Sequence, residues 1–169
     1  MFMHRAPEKQ FDIIDLDPYG TAAIFLDTAV QAIKDGGLLC VTCTDLGVLA
    51  GSNPGTCFAK YSVMPVPQKA CHEQALRIVL STIQQIANRH KRIITPLASC
   101  HIDFYVRLFM RVDTSPKAVK ESFSKFGQVH QCNTCDHFEV TPIGKINPNN
   151  NAHHPVTASL DSKCNECGN

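Results

Sequence analysis

The sequence predicts an α/β fold, a parallel sheet bearing helices and ending in an antiparallel hairpin, followed by a small zinc-ribbon-like segment, and three features predict this arrangement. Phe11–Leu16 and Leu38–Cys43 are short apolar runs on either side of a helical pattern, the strand–helix–strand order of a βαβ unit. Ile102–Val112 alternates, with Phe104, Val106, Leu108, Met110 and Val112 separated by Tyr105, Arg107 and Arg111, the period-two signal of a half-buried strand. Beyond it, Cys132, Cys135, Cys164 and Cys167 form two Cys-x-x-Cys pairs, which predict a small zinc-ribbon-like segment at the C-terminus.

Taken in order, Met1–Gln10 is polar and patternless. Phe11–Leu16 ends abruptly at Asp17-Pro18-Tyr19-Gly20, because proline cannot continue a central ladder and glycine suits a turn. A helix is expected from Thr21, with Ala22, Phe25 or Leu26, Ala29, Ala32 and Ile33 at helical spacing and Gly36-Gly37 as its stop. Open α/β sheets bind ligands at the carboxyl ends of their strands. Two segments fall there, Asp17–Gly20 and Thr44-Asp45.

Residues 46–67 read as an irregular loop over that edge. Lys69–His90 is the clearest helix, with an apolar stripe of Leu76, Val79, Leu80, Ile83, Ile86 and Ala87. Ile93–Ala98 is a strand that leads, through a gap at Ser99–His101, into Ile102–Val112. Composition shifts at Asp113–Pro116, so residues 1–112 and 113–169 are expected to be separate domains. Lys117–Lys125 is a short charged helix or strand, and Asn147–Pro155 a mobile loop.

Composition narrows the class. The chain has 169 residues, enough for one domain and a small satellite. No apolar run approaches the ~18 residues a membrane span needs, and the first ten residues contain no signal-peptide core. With 16 Lys and Arg against 15 Asp and Glu, the net field gives no support to nucleic-acid binding. Nine cysteines, an odd number with no secretion signal, argue against a disulfide framework and for a metal site in a reducing compartment.

Asp17-Pro18-Tyr19 carries chemistry. It belongs to the Asp-Pro-aromatic patterns of enzymes that methylate planar exocyclic amines. Such an amine is a poor nucleophile, because its lone pair is delocalised into the ring. Acceptors on its N–H groups draw it toward tetrahedral geometry; the Asp17 carboxylate and the Pro18 carbonyl are of that kind. Tyr19 would stack on an extruded base, a contact worth roughly 1–3 kcal/mol. The competing reading is a plain turn with a packing aromatic.

Phe11–Gly20, Gly36–Asp45, Cys71–Ile78 and Asp103–Arg107 each resemble segments of the tRNA (guanine-26-N2)-dimethyltransferase family, in the same order and at the same spacing. The resemblance implies a Rossmann-like domain dependent on S-adenosyl-L-methionine, with a sheet that ends in an antiparallel hairpin and a family-specific C-terminal domain after it. It also implies methyl transfer to N2 of guanine 26 in tRNA, with Asp17 and Pro18 orienting the amine and Tyr19 contacting the base. Glu73 and Arg77 match family positions too, and read most simply as a helical ion pair. Nuclear and mitochondrial locations are family expectations. In the family a Gly-rich S-adenosyl-L-methionine loop and an acidic ribose-binding residue lie well upstream of the motif. Only Met1–Gln10 precede the strand here, so the expectation is a partial sheet that binds this cosubstrate poorly and is inactive alone.

Paired Cys-x-x-Cys turns put four thiolates around one tetrahedral ion, here with 28 residues between the pairs. The alternatives are free thiols, or one pair recruiting His137, His153 or His154. Three further readings stay open: a zinc ribbon that docks tRNA without catalysis, an amine methyltransferase for another nucleic-acid base, and a truncated product without function.

Overall fold

The computed structural model describes residues 11–157 and 163–169; the patternless start Met1–Gln10 lies outside them. The chain divides into two compact units at Pro116/Lys117.

The first unit is built on β1 (Phe11–Leu16), α1 (Ala23–Ala32), β2 (Ile33–Cys43), α2 (Leu46–Leu49), α3 (Pro54–Tyr61), α4 (Cys71–Arg89), β3 (Arg92–Ile102) and β4 (Tyr105–Thr114). Its sheet has the order β1-β2-β4-β3. β1 and β2 run parallel, Ile14 beside Leu39 and Leu16 beside Val41, as the βαβ reading requires. β4 pairs antiparallel with both β2 and β3, so the sheet is mixed and ends in a hairpin.

Side-chain alternation explains the core. Ile14 and Leu16 of β1, Leu39, Val41 and Cys43 of β2, and Val106, Leu108, Met110 and Val112 of β4 are buried together. Leu26, Ala29 and Val30 of α1 and Ala75, Val79, Ile83 and Ala87 of α4 cover them. Within the stripe expected of α4, Leu80 and Ile86 are only partly buried, while Ala75 and Ile78 lie inside.

Several boundaries differ from expectation. Helix α1 ends at Ala32, ahead of the glycine pair, because Ile33 already sits beside Phe11 in the sheet. Arg92, itself buried, closes that helix end by donating from one guanidinium nitrogen to the carbonyls of Val30 (2.5 Å) and Ile33 (2.6 Å). The glycines serve the irregularity in β2 instead: Gly36 has φ +75°, and a Cβ on Gly37 would stand 2.9 Å from the Asp12 carbonyl oxygen.

The hairpin turn is Asp103-Phe104 rather than Ser99–His101. Ser99, Cys100 and His101 continue the ladder opposite Leu108, Arg107 and Val106, since an edge strand tolerates polar residues. Pro96 sits at a register irregularity of that edge, where its missing N–H does little harm. Asp103 takes φ +48° and Phe104 is left exposed at the tip. Residues 46–67 are not a plain loop: they contain α2 and α3.

Arg92→Ala is expected to destabilise this unit by about 3 kcal/mol, since two buried carbonyls lose a charged donor. Urea unfolding followed by far-UV circular dichroism measures it, and a loss below about 1 kcal/mol would show that the helix end does not need the cap.

In the second unit α5 (Pro116–Glu121) leads into a 3₁₀ turn at Ser122–Lys125, followed by the ribbon β5 (Gly127–Gln131) with β6 (Phe138–Pro142) and the ribbon β7 (Gly144–Ile146) with β8 (His153–Pro155). The charged segment is therefore helical, and the Asn-rich stretch expected to be a mobile loop ends in a paired strand. Buried Gly144 leaves room for the Phe123 ring, which would lie 2.3 Å from a Cβ there.

Candidate active site and metal centre

Asp17–Gly20 leaves the carboxyl end of β1 as a turn fastened from its far side. The Gly20 N–H donates to Thr44 Oγ1 (2.7 Å), and the Thr44 N–H donates back to the Gly20 carbonyl (2.8 Å). Gly20 has φ +79° with open space around it, so the position needs glycine for its backbone angle and not for room. The ends of the two parallel strands are thereby joined.

The carboxylates of this strand have different surroundings. Asp12 pairs with Lys34 at 2.8 Å, and this hydrogen-bonded ammonium holds its carboxyl below the usual range. Asp15 takes both guanidinium nitrogens of Arg107, each at 2.8 Å, and Arg107 also donates to Thr42 Oγ1. Hydrogen bonding to Asp15 keeps the Arg107 guanidinium above its ordinary value. Among the described residues, Asp17 makes no side-chain hydrogen bond, and Tyr19 at 104% exposure packs against nothing. Within this chain, then, the aromatic has no packing role, and the acceptor beside it makes no side-chain hydrogen bond.

Behind the turn lies a buried polar cluster that the sequence reading missed. Tyr61, 1% exposed, donates its hydroxyl to Asp45 Oδ1 (2.8 Å) and accepts from the Thr21 hydroxyl (2.6 Å). Lys60 holds the other Asp45 oxygen at 3.0 Å. Burial pushes the Tyr61 phenol well above its ordinary value and raises the Cys43 and Cys57 thiols, so all three stay protonated. Thr44-Asp45, singled out as a second site segment, is thus committed to holding the strand ends. A usable signal was present: Asn53-Pro54 starts a helix well, and Cys57 and Tyr61, four apart, form its buried face. Glu73 and Arg77 form the expected i,i+4 ion pair at 2.8 Å, both solvent-exposed.

In the second unit the four cysteine sulfurs lie within 4.8 Å of one another. Cys132 and Cys167, and likewise Cys135 and Cys164, stand 3.7 Å apart. A disulfide needs about 2.05 Å, whereas four thiolates about 2.3 Å from one zinc define a tetrahedron with edges of about 3.8 Å. The two turns share one hydrogen-bonding plan. The Cys132 N–H donates to the His137 carbonyl and the Cys164 N–H to that of Asn169, five residues on in each case. Asp136 and Gly168, each following the second cysteine of its pair, have φ +61° and +73°.

Backbone N–H groups of Thr134 and Cys135 bring the Cys132 thiol down to about 6. For Cys135 the His137 N–H favours the thiolate, but desolvation and the neighbouring Cys167, Cys164 and Cys132 sulfurs push it up to about 12. Sulfurs this close cannot all ionise without a cation among them. The donor set fits a thiophilic ion such as zinc, with no histidine in it: His137 faces Glu139 at 3.7 Å and His153 stands edge-on to Phe123.

The mixed sheet, with its βαβ unit and closing hairpin, defines the class of fold, an α/β domain with the Asp-Pro-aromatic turn at the carboxyl end of β1. The whole chain, residues 1–169, matches the family described as TRM, N2,N2-dimethylguanosine tRNA methyltransferase. It is 48% identical to tRNA (guanine(26)-N(2))-dimethyltransferase 2 of Arabidopsis thaliana across 95% of its length, and 46% identical to the Homo sapiens tRNA (guanine(26)-N(2))-dimethyltransferase across 99%. Saccharomyces cerevisiae has a mitochondrial tRNA (guanine(26)-N(2))-dimethyltransferase that is 41% identical over 177 residues. Among solved structures, Trm1 from Pyrococcus horikoshii in complex with S-adenosyl-L-methionine superposes with a TM-score of 0.79 at 31% identity, over 91% of this chain and 42% of that one. The chain belongs to the N2,N2-dimethylguanosine tRNA methyltransferase family. It spans 28% of the Arabidopsis relative and 26% of the human one.

Proposed function

We propose that this chain carries the amine-orienting part of an enzyme that methylates N2 of guanine 26 in tRNA, with a structural zinc in its second unit. The observation that carries the reading is the contrast between β1 and the turn that follows it: Asp12 and Asp15 are paired, while Asp17 is exposed and makes no side-chain hydrogen bond among the described residues, beside a fully exposed Tyr19.

S-adenosyl-L-methionine would supply the methyl group, its sulfonium S–C bond breaking as the N–C bond forms so that the electron pair leaves with the thioether S-adenosyl-L-homocysteine. In this reading the Asp17 carboxylate and the Pro18 carbonyl accept from the two N–H groups of the guanine amine and aim its lone pair. Tyr19 stacks on the extruded base, offsetting much of the few kcal/mol that unstacking takes. As the new N–C bond forms, the nitrogen becomes cationic and must shed a proton, and Asp17 is the acceptor at hand. The same residues serve a second round, since the monomethylated amine keeps one N–H for Asp17. Cys132, Cys135, Cys164 and Cys167 would hold the zinc, and a site closed by four thiolates is structural, with no open position for chemistry. The compartment proposed is the nucleus or the mitochondrion. No helix among the described residues is long and apolar enough to cross a membrane.

The test uses the intact native protein, methyl-labelled S-adenosyl-L-methionine and an unmodified tRNA transcript. Nucleoside analysis is expected to place label on N2 of guanine 26, lost from a transcript carrying adenine at that position. Label on another base, or tRNA bound but unmethylated, would reject the reading.

A further inference from the structure

We infer that Tyr61 is a positioning residue for the Asp17–Gly20 turn, acting through Thr21 and Asp45; the catalytic part of this inference rests on the function proposed above. The turn has two attachments behind Tyr19. One is the reciprocal pair of bonds between Gly20 and Thr44. The other runs from Thr21, the next residue, through the Tyr61 hydroxyl to Asp45, the residue after Thr44. Together they close a ring that spans the carboxyl ends of both parallel strands.

Each link has a fixed direction. Asp45 Oδ2 is taken by Lys60, so Oδ1 is the oxygen that receives the Tyr61 O–H. With its proton committed, the Tyr61 oxygen is an acceptor for the Thr21 hydroxyl. With its own proton committed, Thr21 Oγ1 accepts the Ala23 N–H at 3.1 Å, tying down the start of α1. The main chain of Tyr61 is braced as well: the Thr82 hydroxyl of α4 lies 3.0 Å from the Tyr61 carbonyl and 2.9 Å from that of Ile78, and shares its proton between them. Asp17 and Tyr19 make no side-chain hydrogen bond among the described residues, and Arg107 acts on Asp17 through charge alone, so the side-chain hydrogen bonds that fix the turn are those of this ring. A hydroxyl that touches no substrate thereby governs where the amine acceptor stands.

Tyr61→Phe removes only that hydroxyl and keeps the buried ring. In the intact protein it is expected to lower kcat for tRNA methylation by about tenfold, with KM for tRNA within about twofold of wild type. Hydrogen exchange at the Gly20 and Thr44 amides should speed up by about tenfold while the amides of Leu39 and Val41 keep their protection. Thr21→Val should reproduce both changes, and Thr21→Ser, which retains the hydroxyl, should reproduce neither. The inference is overturned if Tyr61→Phe leaves kcat and both amides at wild-type values. It is also overturned if the loss appears in KM, or if exchange accelerates throughout the sheet. A wild-type protein that leaves guanine N2 unmethylated would sink the function proposed above, and the amide exchange of Tyr61→Phe would still decide the positioning claim.

Discussion

Asp17→Ala is expected to reduce single-turnover methylation of guanine N2 in the intact protein by about a thousandfold, because one group supplies two effects. A charged acceptor on a neutral N–H contributes about 1.5–3 kcal/mol, and a positioned proton acceptor typically contributes about 10²–10⁴ in rate. Asp17→Asn keeps an acceptor but loses charge and basicity, so an intermediate loss is expected. Stability should hardly change, since Asp17 is exposed and makes no side-chain hydrogen bond among the described residues. Asp12→Ala, in the strand that leads into the turn, is the control: it removes a pairing with Lys34 that is itself exposed, and its rate should stay near wild type. Rapid-quench measurement at saturating tRNA and S-adenosyl-L-methionine separates the two. An Asp17→Ala protein within about threefold of wild type would reduce Asp17 to a turn residue.

What could be read from the sequence, and what could not, follows from how local each cause is. β4 was legible because Val106, Leu108, Met110 and Val112 all face one core, and that partition writes itself as alternation. The middle of α4 was legible for the same reason at helical period. The end of α1 was not, because what closes it is Arg92, 59 residues away from the Ile33 carbonyl that it caps. The hairpin tip was misplaced because polar Ser99, Cys100 and His101 look like a gap, and only their edge position makes them acceptable strand residues. The cluster behind the turn escaped notice because α2 and α3 are four and eight residues long. Helices that short are held by tertiary contacts and leave little periodicity to detect. Asp17–Tyr19 could be found as a motif, but a motif cannot show that Asp15 is consumed by Arg107 while its neighbour two residues on is free to accept.

Removing metal from the second unit is expected to abolish its structure. Among its described residues only Ser122 and Gly144 are buried, and no apolar side chain is. Two short ribbons with that little interior fall below what burial alone supports in a small domain. On the zinc reading proposed above, the stabilisation comes largely from the four-sulfur centre; structural zinc provides about 10–16 kcal/mol in comparable small peptides. The intact protein should therefore bind one zinc per copy of this chain beyond any held elsewhere, and Cys135→Ser should lower the zinc count by one. Cobalt substituted at the site should show intense thiolate charge-transfer absorption and tetrahedral d–d bands. Stripping the metal with a chelator should remove exchange protection from β5 and β6 and leave that of Leu39, Val41 and Leu108 in place, since the first unit has its own core. Full protection of β5 and β6 in metal-free protein would mean that the sulfurs are packed thiols. A zinc count unchanged in Cys135→Ser would place the metal elsewhere.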